Sequence, residues 1–384
     1  MSIRSQNLAL LAAAVSGLTI AIVSLVRMFV PGFLDALPQS LIGRLGSGVE
    51  LAVSLTGALA VIAVSIIALA TGRDAKHAGA SRALRVTGLI GGVLAAVTMP
   101  GGVIPAAGYT FAMVVIVGIV VLITLTAIRR PWVGLPLAAA ATGLLIFAVV
   151  NLQAGRLVPS VFGAMAGILP QMLLALAHVI AAAGLLVWAI SDASGSRSVF
   201  ARFVLRHRTP ITLVAAACAV PYAFVRATWL TPWPLFGGGG DVFSEDPAVR
   251  LLGLALGLAM LVGGVLTLGL IMRWGERFPR FLAGVGGRPV PVALALIPAS
   301  VVSVLFTAAG IEFVLEGAGS MGDTSFLLLM FPFWLWGPLL GLAAWGYTMH
   351  RSAPVPPAGA RKNASGSGAV GLTDQPMHQL HTGE

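Results

Sequence analysis

Arg226 places a guanidinium inside an apolar run. The stretch VPYAFVRATWLTPWPLFGGGGD, Val220 to Asp241, ends a greasy segment that begins at Pro210. A charge at the centre of a membrane helix costs about 2.5–3.5 kcal/mol, and less near an end. Tyr222 stands four residues earlier and so shares the helical face of Arg226. Trp229 and Trp233 follow as an aromatic belt. Two chemistries fit this pattern. A snorkelling arginine among interfacial rings is an anchor, whereas a cation facing an outward-open cavity would hold a carboxylate or a phosphate. Glu312 and Glu50 stand near the ends of their own apolar runs, at depths similar to Arg226. A carboxylate beside the guanidinium would lower the cost of both charges, and Glu312 is the first candidate partner.

His178 lies near the middle of another run, eight residues after Pro170, with Gln171 two turns earlier on one face. A mid-membrane histidine can relay protons, bind a metal or join two helices by a hydrogen bond. No second histidine lies within any apolar run, and no H-E-x-x-H or Cys/His set accompanies it, so metal binding has no support. The P-loop pattern is absent, Gly46-Ser47-Gly48 is not a G-x-S-x-G elbow, and no run carries the paired aspartates that would chelate magnesium on a diphosphate. No catalytic residue, cofactor or metal site is therefore expected.

The elements that must position these residues follow from composition. The chain has 384 residues, 58% hydrophobic and 9% charged, against about 25% charged in a soluble domain. Its mean hydropathy is +0.97. Ten apolar stretches approach the roughly 20 residues that cross a bilayer: 8–26, 49–71, 86–105, 108–128, 133–150, 165–190, 210–230, 249–272, 290–315 and 325–348. The first is too long for an ordinary signal peptide and reads as an uncleaved span. The third is interrupted by MPGGVIPAAG, which must lie at an interface or against protein. The fold class is thus an all-α polytopic membrane bundle of about ten helices.

The net charge of +10 is not a dense block but falls in short clusters between apolar runs, the pattern of membrane topology rather than of nucleic-acid binding. With the N-terminus inside and the spans alternating, 18 of the 23 Lys and Arg residues fall on the inner side, which predicts N-in and C-in. The inner loop RWGERFPRFLAGVGGRPVP carries four arginines among aromatics and reads as a headgroup anchor. Residues 1–350 form the membrane domain. The Pro/Gly/Ser-rich stretch 351–384 is expected to be a disordered cytoplasmic tail. The lone cysteine, Cys218, cannot form an intramolecular disulfide.

Pro170, Pro221, Pro298 and Pro332 fall inside spans, where they free carbonyls and permit kinks. The pairs Gly88/Gly92, Gly163/Gly167, Gly253/Gly257 and Gly337/Gly341 favour close helix packing. Spans one and seven both end in Val-Arg followed by a proline, Arg27 then Pro31 and Arg226 then Pro232. This hints at parallel repeats over 1–130 and 205–350. The run Tyr222-Ala-x-x-Arg226-x-x-Trp229, with the loop RWGERFPRFLAGVGGRPVPVALALIPA, resembles uncharacterised multi-pass membrane proteins of actinobacteria. That resemblance covers about the last 150 residues and implies a multi-pass membrane location, with no activity or site residue to carry over. The scarcity of lysine beside abundant arginine, alanine and glycine points to a GC-rich bacterial genome and so to a bacterial cytoplasmic (inner) membrane.

Three functions remain open. One is a permease or binding protein for a small, anionic molecule. Another is a non-catalytic membrane subunit or scaffold acting through a partner protein. The third is a membrane enzyme on a lipid-borne substrate, for which no polar cluster at one interface is visible.

Overall fold

A computed structural model describes residues 3–30, 32–34, 37–71, 78–101, 120–121, 123–151, 159, 163, 166–191, 198–235, 247–278, 286–316, 325 and 328–352. Among them the chain is helical, with one isolated bridge between Arg277 and Pro289. The helices are α1 Ile3–Phe29, α2 Ser47–Thr71, α3 Ala78–Val97, α4 Pro131–Asn151, α5 Leu169–Ile190 and α6 Val199–Arg206. They continue with α7 Arg208–Ala217, α8 Val220–Ala227, α9 Pro247–Leu268, α10 Val292–Glu316 and α11 Phe333–Ser352. Helix is the form these runs must take in hydrocarbon, because it satisfies every backbone group within one segment. Among the described residues, seven helical segments, with α7 and α8 taken as one, are long and apolar enough to cross a membrane. The protein is an integral membrane protein of multi-pass type.

Several expected spans have different limits. The fourth, 108–128, lies mostly outside the described residues, although 120–121 and 123–129 are helical. Only Arg351 and Ser352 of the expected tail are described. The third span ends its helix at Val97, where the Thr98 hydroxyl donates back to Leu94 O at 2.9 Å and Pro100 follows. Span seven is not continuous. Pro221 cannot donate to Ala217, and the chain tightens to i→i−3 bonds at Cys218 and Ala219 before helix resumes at Val220. Pro170 lies in the first turn of α5 rather than inside it, where its missing N–H is harmless. Pro332 precedes α11 and separates it from a short helical piece at 328–330. Pro298 is inside α10, as expected.

Two groups of helices share α5 and α10. In the first, Leu10, Ala13 and Ile20 of α1 meet Ala58, Val61 and Val64 of α2 and Ala177, Ala181 and Leu185 of α5. In the second, α7, α10 and α11 enclose Ala215, Ala309, Phe333, Trp336 and Tyr347. Met99, Ala175, Val179 and Ala308 join them at one level, and Val187, Leu296 and Ala344 at another. Three of the four glycine pairs lie at close approaches, whereas no described atom comes within 4 Å of a Cβ placed at Gly163 or Gly167. The bundle is also pinned by polar contacts at one end. Gln6 donates to Ser191 at 2.6 Å, and Tyr347 donates to Gly275 O at 2.8 Å. Arg351 donates to Val290 O at 3.0 Å, closing the turn before α10 onto α11.

Candidate functional site

At the opposite end, six segments bring polar groups together. α1 supplies Ser24 and Arg27, one turn apart, and α2 supplies Glu50 and Ser54, also one turn apart. These pairs face each other because Ile20 and Ala21 of α1 pack with Ala58 and Val61 of α2 just below. Arg27 Nη1 stands 3.4 Å from Glu50 Oε1, and the Ser24 and Ser54 hydroxyls are 2.9 Å apart. The loop after α1 covers the carboxylate. Ser40 Oγ accepts from Gly43 N at 3.0 Å, and a Cβ on Gly43 would lie 3.0 Å from Glu50 Oε2.

The interrupted end of α3 is the fourth wall. Ile42 N donates to Val97 O, and Gly101 N donates to Pro38 O, each at 3.3 Å. Gln171 of α5 donates to Gly101 O at 2.7 Å. A Cβ at Gly101 would stand 2.5 Å from Gln39 O and 2.9 Å from Glu312 Oε1, so the close approach of these groups requires glycine there. Glu312 reaches this place because Leu305 and Ala308, on its face of α10, pack against Met99, Ala175 and Val179.

His178 closes the site from below. It is 2% exposed, and its Nδ1 lies 2.8 Å from Leu174 O. A carbonyl only accepts, so Nδ1 carries the proton and Nε2 of the neutral ring is an acceptor. That Nε2 is buried and has no hydrogen-bond partner among the described residues. His178 borders a small cavity with Ser24, Arg27, Glu50, Ser54 and Thr98, with room for about one water molecule.

Arg226 and Tyr222 belong to the other group of helices. The Arg226 guanidinium lies 4.9 Å from the Tyr222 ring centre and 4.0 Å from that of Trp229. Gly257 lets the Arg226 stem approach α9, and Gly253 lets the Trp229 ring do the same. The expected pairing of Arg226 with Glu312 is not made. Arg226 forms no ion pair among the described residues, and its buried Nε has no hydrogen-bond partner. Tyr222 instead reaches α10 through Phe331, 4.8 Å away, which meets Phe313 at 5.5 Å. Glu312, the neighbour of Phe313, departs toward Gly101.

Four singled-out residues, Glu50, Gln171, His178 and Glu312, thus border one region of the N-terminal group. Sequence reasoning missed Arg27, Ser24, Ser54 and Thr98 as its members. The one-turn spacings Ser24/Arg27 and Glu50/Ser54 were the available signal, since each puts two polar groups on one face of an apolar helix. No group of three His, Cys, Asp or Glu residues suited to a metal occurs among the described residues. No family model, curated protein or solved structure matches the chain.

Proposed function

We propose that the protein is a permease or binding protein for a small anionic molecule in a bacterial cytoplasmic membrane, with its binding region at Arg27, Glu50 and His178. The observation that carries this reading is the convergence of a partly buried ion pair and of a buried histidine on one cavity, at the broken end of α3. Polar groups inside a membrane bundle are costly and mark ligand or ion paths, and interrupted helices commonly build such sites in transporters. Arg27 supplies the cation for an anionic group, the serine hydroxyls and Gln171 offer hydrogen bonds, and the turn 98–101 with the loop 37–46 forms the cover. That cover must move, because the cavity holds about one water and a solute needs more. Arg226 and Tyr222 serve as an aromatic clamp beside the site.

Ten spans with N-in and C-in topology belong to this reading. The contact of Gln171 with Gly101 puts the start of α5 at the end of α3. A departure and return through two crossings, the fourth span and α4, fits that contact. An even number of spans then keeps most basic residues on one side.

The test is thermal unfolding of the full chain in nanodiscs across a library of small metabolites and lipids. A ligand of the folded state raises the melting temperature by mass action. The expected result is an anionic solute that stabilises the wild type and Arg226→Gln and has no effect on Arg27→Gln. If no compound stabilises the wild type, a membrane subunit acting through a partner protein becomes the better reading.

A further inference from the structure

We propose that the cavity between α1, α2 and α5 is a proton-binding site, in which a cavity water delivers the proton to His178 Nε2 and Glu50 is the counter-ion. The proposal rests on the permease reading and names its coupling ion. A buried acceptor left unmet costs about 1–3 kcal/mol, and the cavity that His178 lines has both the room and the polar lining that an ordered water needs. Leu174 O occupies Nδ1, which leaves Nε2 as the ring nitrogen able to take a further proton.

The step balances without any other reactant. A hydronium formed at the cavity water loses one O–H bond as the Nε2–H bond forms. The water is left neutral and the positive charge stays on the imidazolium. The charged groups around it come from three elements. α1 contributes Arg27, α2 contributes Glu50, and α10 brings Glu312 to Gly101. α3 adds the Thr98 hydroxyl, and α5 itself adds the neutral Gln171. A second cation beside Arg27 is tolerable only if Glu50 answers it. Glu50 is able to do so, since its 3.4 Å contact with Arg27 exceeds the 2.7–2.9 Å usual for a charge-assisted bond. Drawn through the water toward His178, the carboxylate releases Arg27 to an anionic solute. Proton uptake would then favour anion uptake, and anion uptake would favour proton uptake by the same factor.

The experiment follows the histidine itself. The full chain is labelled with 15N-histidine, placed in nanodiscs and titrated by NMR, with His178→Gln to assign the signal. The expected spectrum passes from the Nδ1–H tautomer to the doubly protonated ring as pH falls. In Glu50→Gln the midpoint should drop by about one pH unit or more, and in Arg27→Gln it should rise by a similar amount. The Arg27 variant decides the matter if Glu50→Gln does not fold. A wild-type His178 that stays neutral to the lowest pH at which the protein is folded overturns the proposal. So does a midpoint that moves in neither variant. If His178 titrates as expected while no solute stabilises the protein, the proton site stands and the permease reading falls.

Discussion

Arg27 and Arg226 present the same problem and receive two solutions. Each follows a valine near the end of an apolar helix and is followed by a proline a few residues on. Arg27 meets a carboxylate, because the first turn of α2 carries Glu50. At the matching place in α9 the chain has Arg250, and Arg226 lies instead over the Tyr222 and Trp229 rings. The carboxylate solution leaves an exchangeable pair beside a cavity. The aromatic solution leaves a cation held by two faces of π density and by the close approach of α9, with little to exchange. The difference separates a region built to change its partners from one built to keep them.

The largest expected effect comes from breaking the ionic solution. Glu50→Gln leaves Arg27 without its counter-charge in a partly dry place, and a fully buried pair broken in this way loses about 3–5 kcal/mol. The side chains here are 23% and 11% exposed, so solvent screening reduces the expected loss to about 1–3 kcal/mol. Arg27→Gln should cost a comparable amount, and the double variant less than the sum of the two singles. Unfolding of all three in detergent measures the coupling. A double variant whose loss equals that sum would show that Arg27 and Glu50 stabilise the fold independently.

The two regions also differ in what their residues disclosed in advance. The clamp was close to legible, since Tyr222 at i−4 and Trp229 at i+3 flank Arg226 on one helical face. What remained hidden was that the rings take the place of Glu312. This depends on α10 presenting Phe313 to Phe331 and Glu312 to Gly101, a rotation set by Ala308 and Leu305 packing against α5. The Arg27–Glu50 contact needs knowledge that α1 lies along α2, which apolar runs of similar composition do not specify. The break at Cys218 and Ala219 was signalled by Pro221, but a proline inside an apolar run marks a kink as readily as an interruption. The unmet Nε2 of His178 was invisible for a simpler reason: the lack of a partner is a property of every neighbour at once.

A smaller effect is expected from the aromatic solution. Trp229→Leu keeps the bulk against Gly253 in part but removes the ring lying 4.0 Å from the Arg226 guanidinium. A desolvated cation–π contact is worth about 2 kcal/mol and an exposed one about 0.5–1. The half-buried Arg226 therefore predicts a loss of about 1–2 kcal/mol, including the bond from Trp229 Nε1 to Leu235 O. The response to any stabilising solute should stay at its wild-type size, because the clamp lies outside the proposed site. A lost response would transfer the binding role to Arg226.

The smallest effect distinguishes the two solutions by shape alone. Arg→Lys keeps the charge but replaces a flat, weakly hydrated guanidinium with a compact ammonium. At position 27 the partner is one carboxylate oxygen at 3.4 Å, a point-charge contact that asks nothing of planarity. Arg27→Lys should therefore melt within about 0.5 kcal/mol of wild type, the usual range for substitutions away from special features. At position 226 the partners are two ring faces, which a plane covers and a point does not. Arg226→Lys should lose more than Arg27→Lys, by up to about 1 kcal/mol. Parallel melts of the two variants in one lipid composition read the difference directly. Equal losses would mean that both arginines act only as charges. The contrast between an exchangeable pair and a fixed clamp would then have to rest on Glu50 alone.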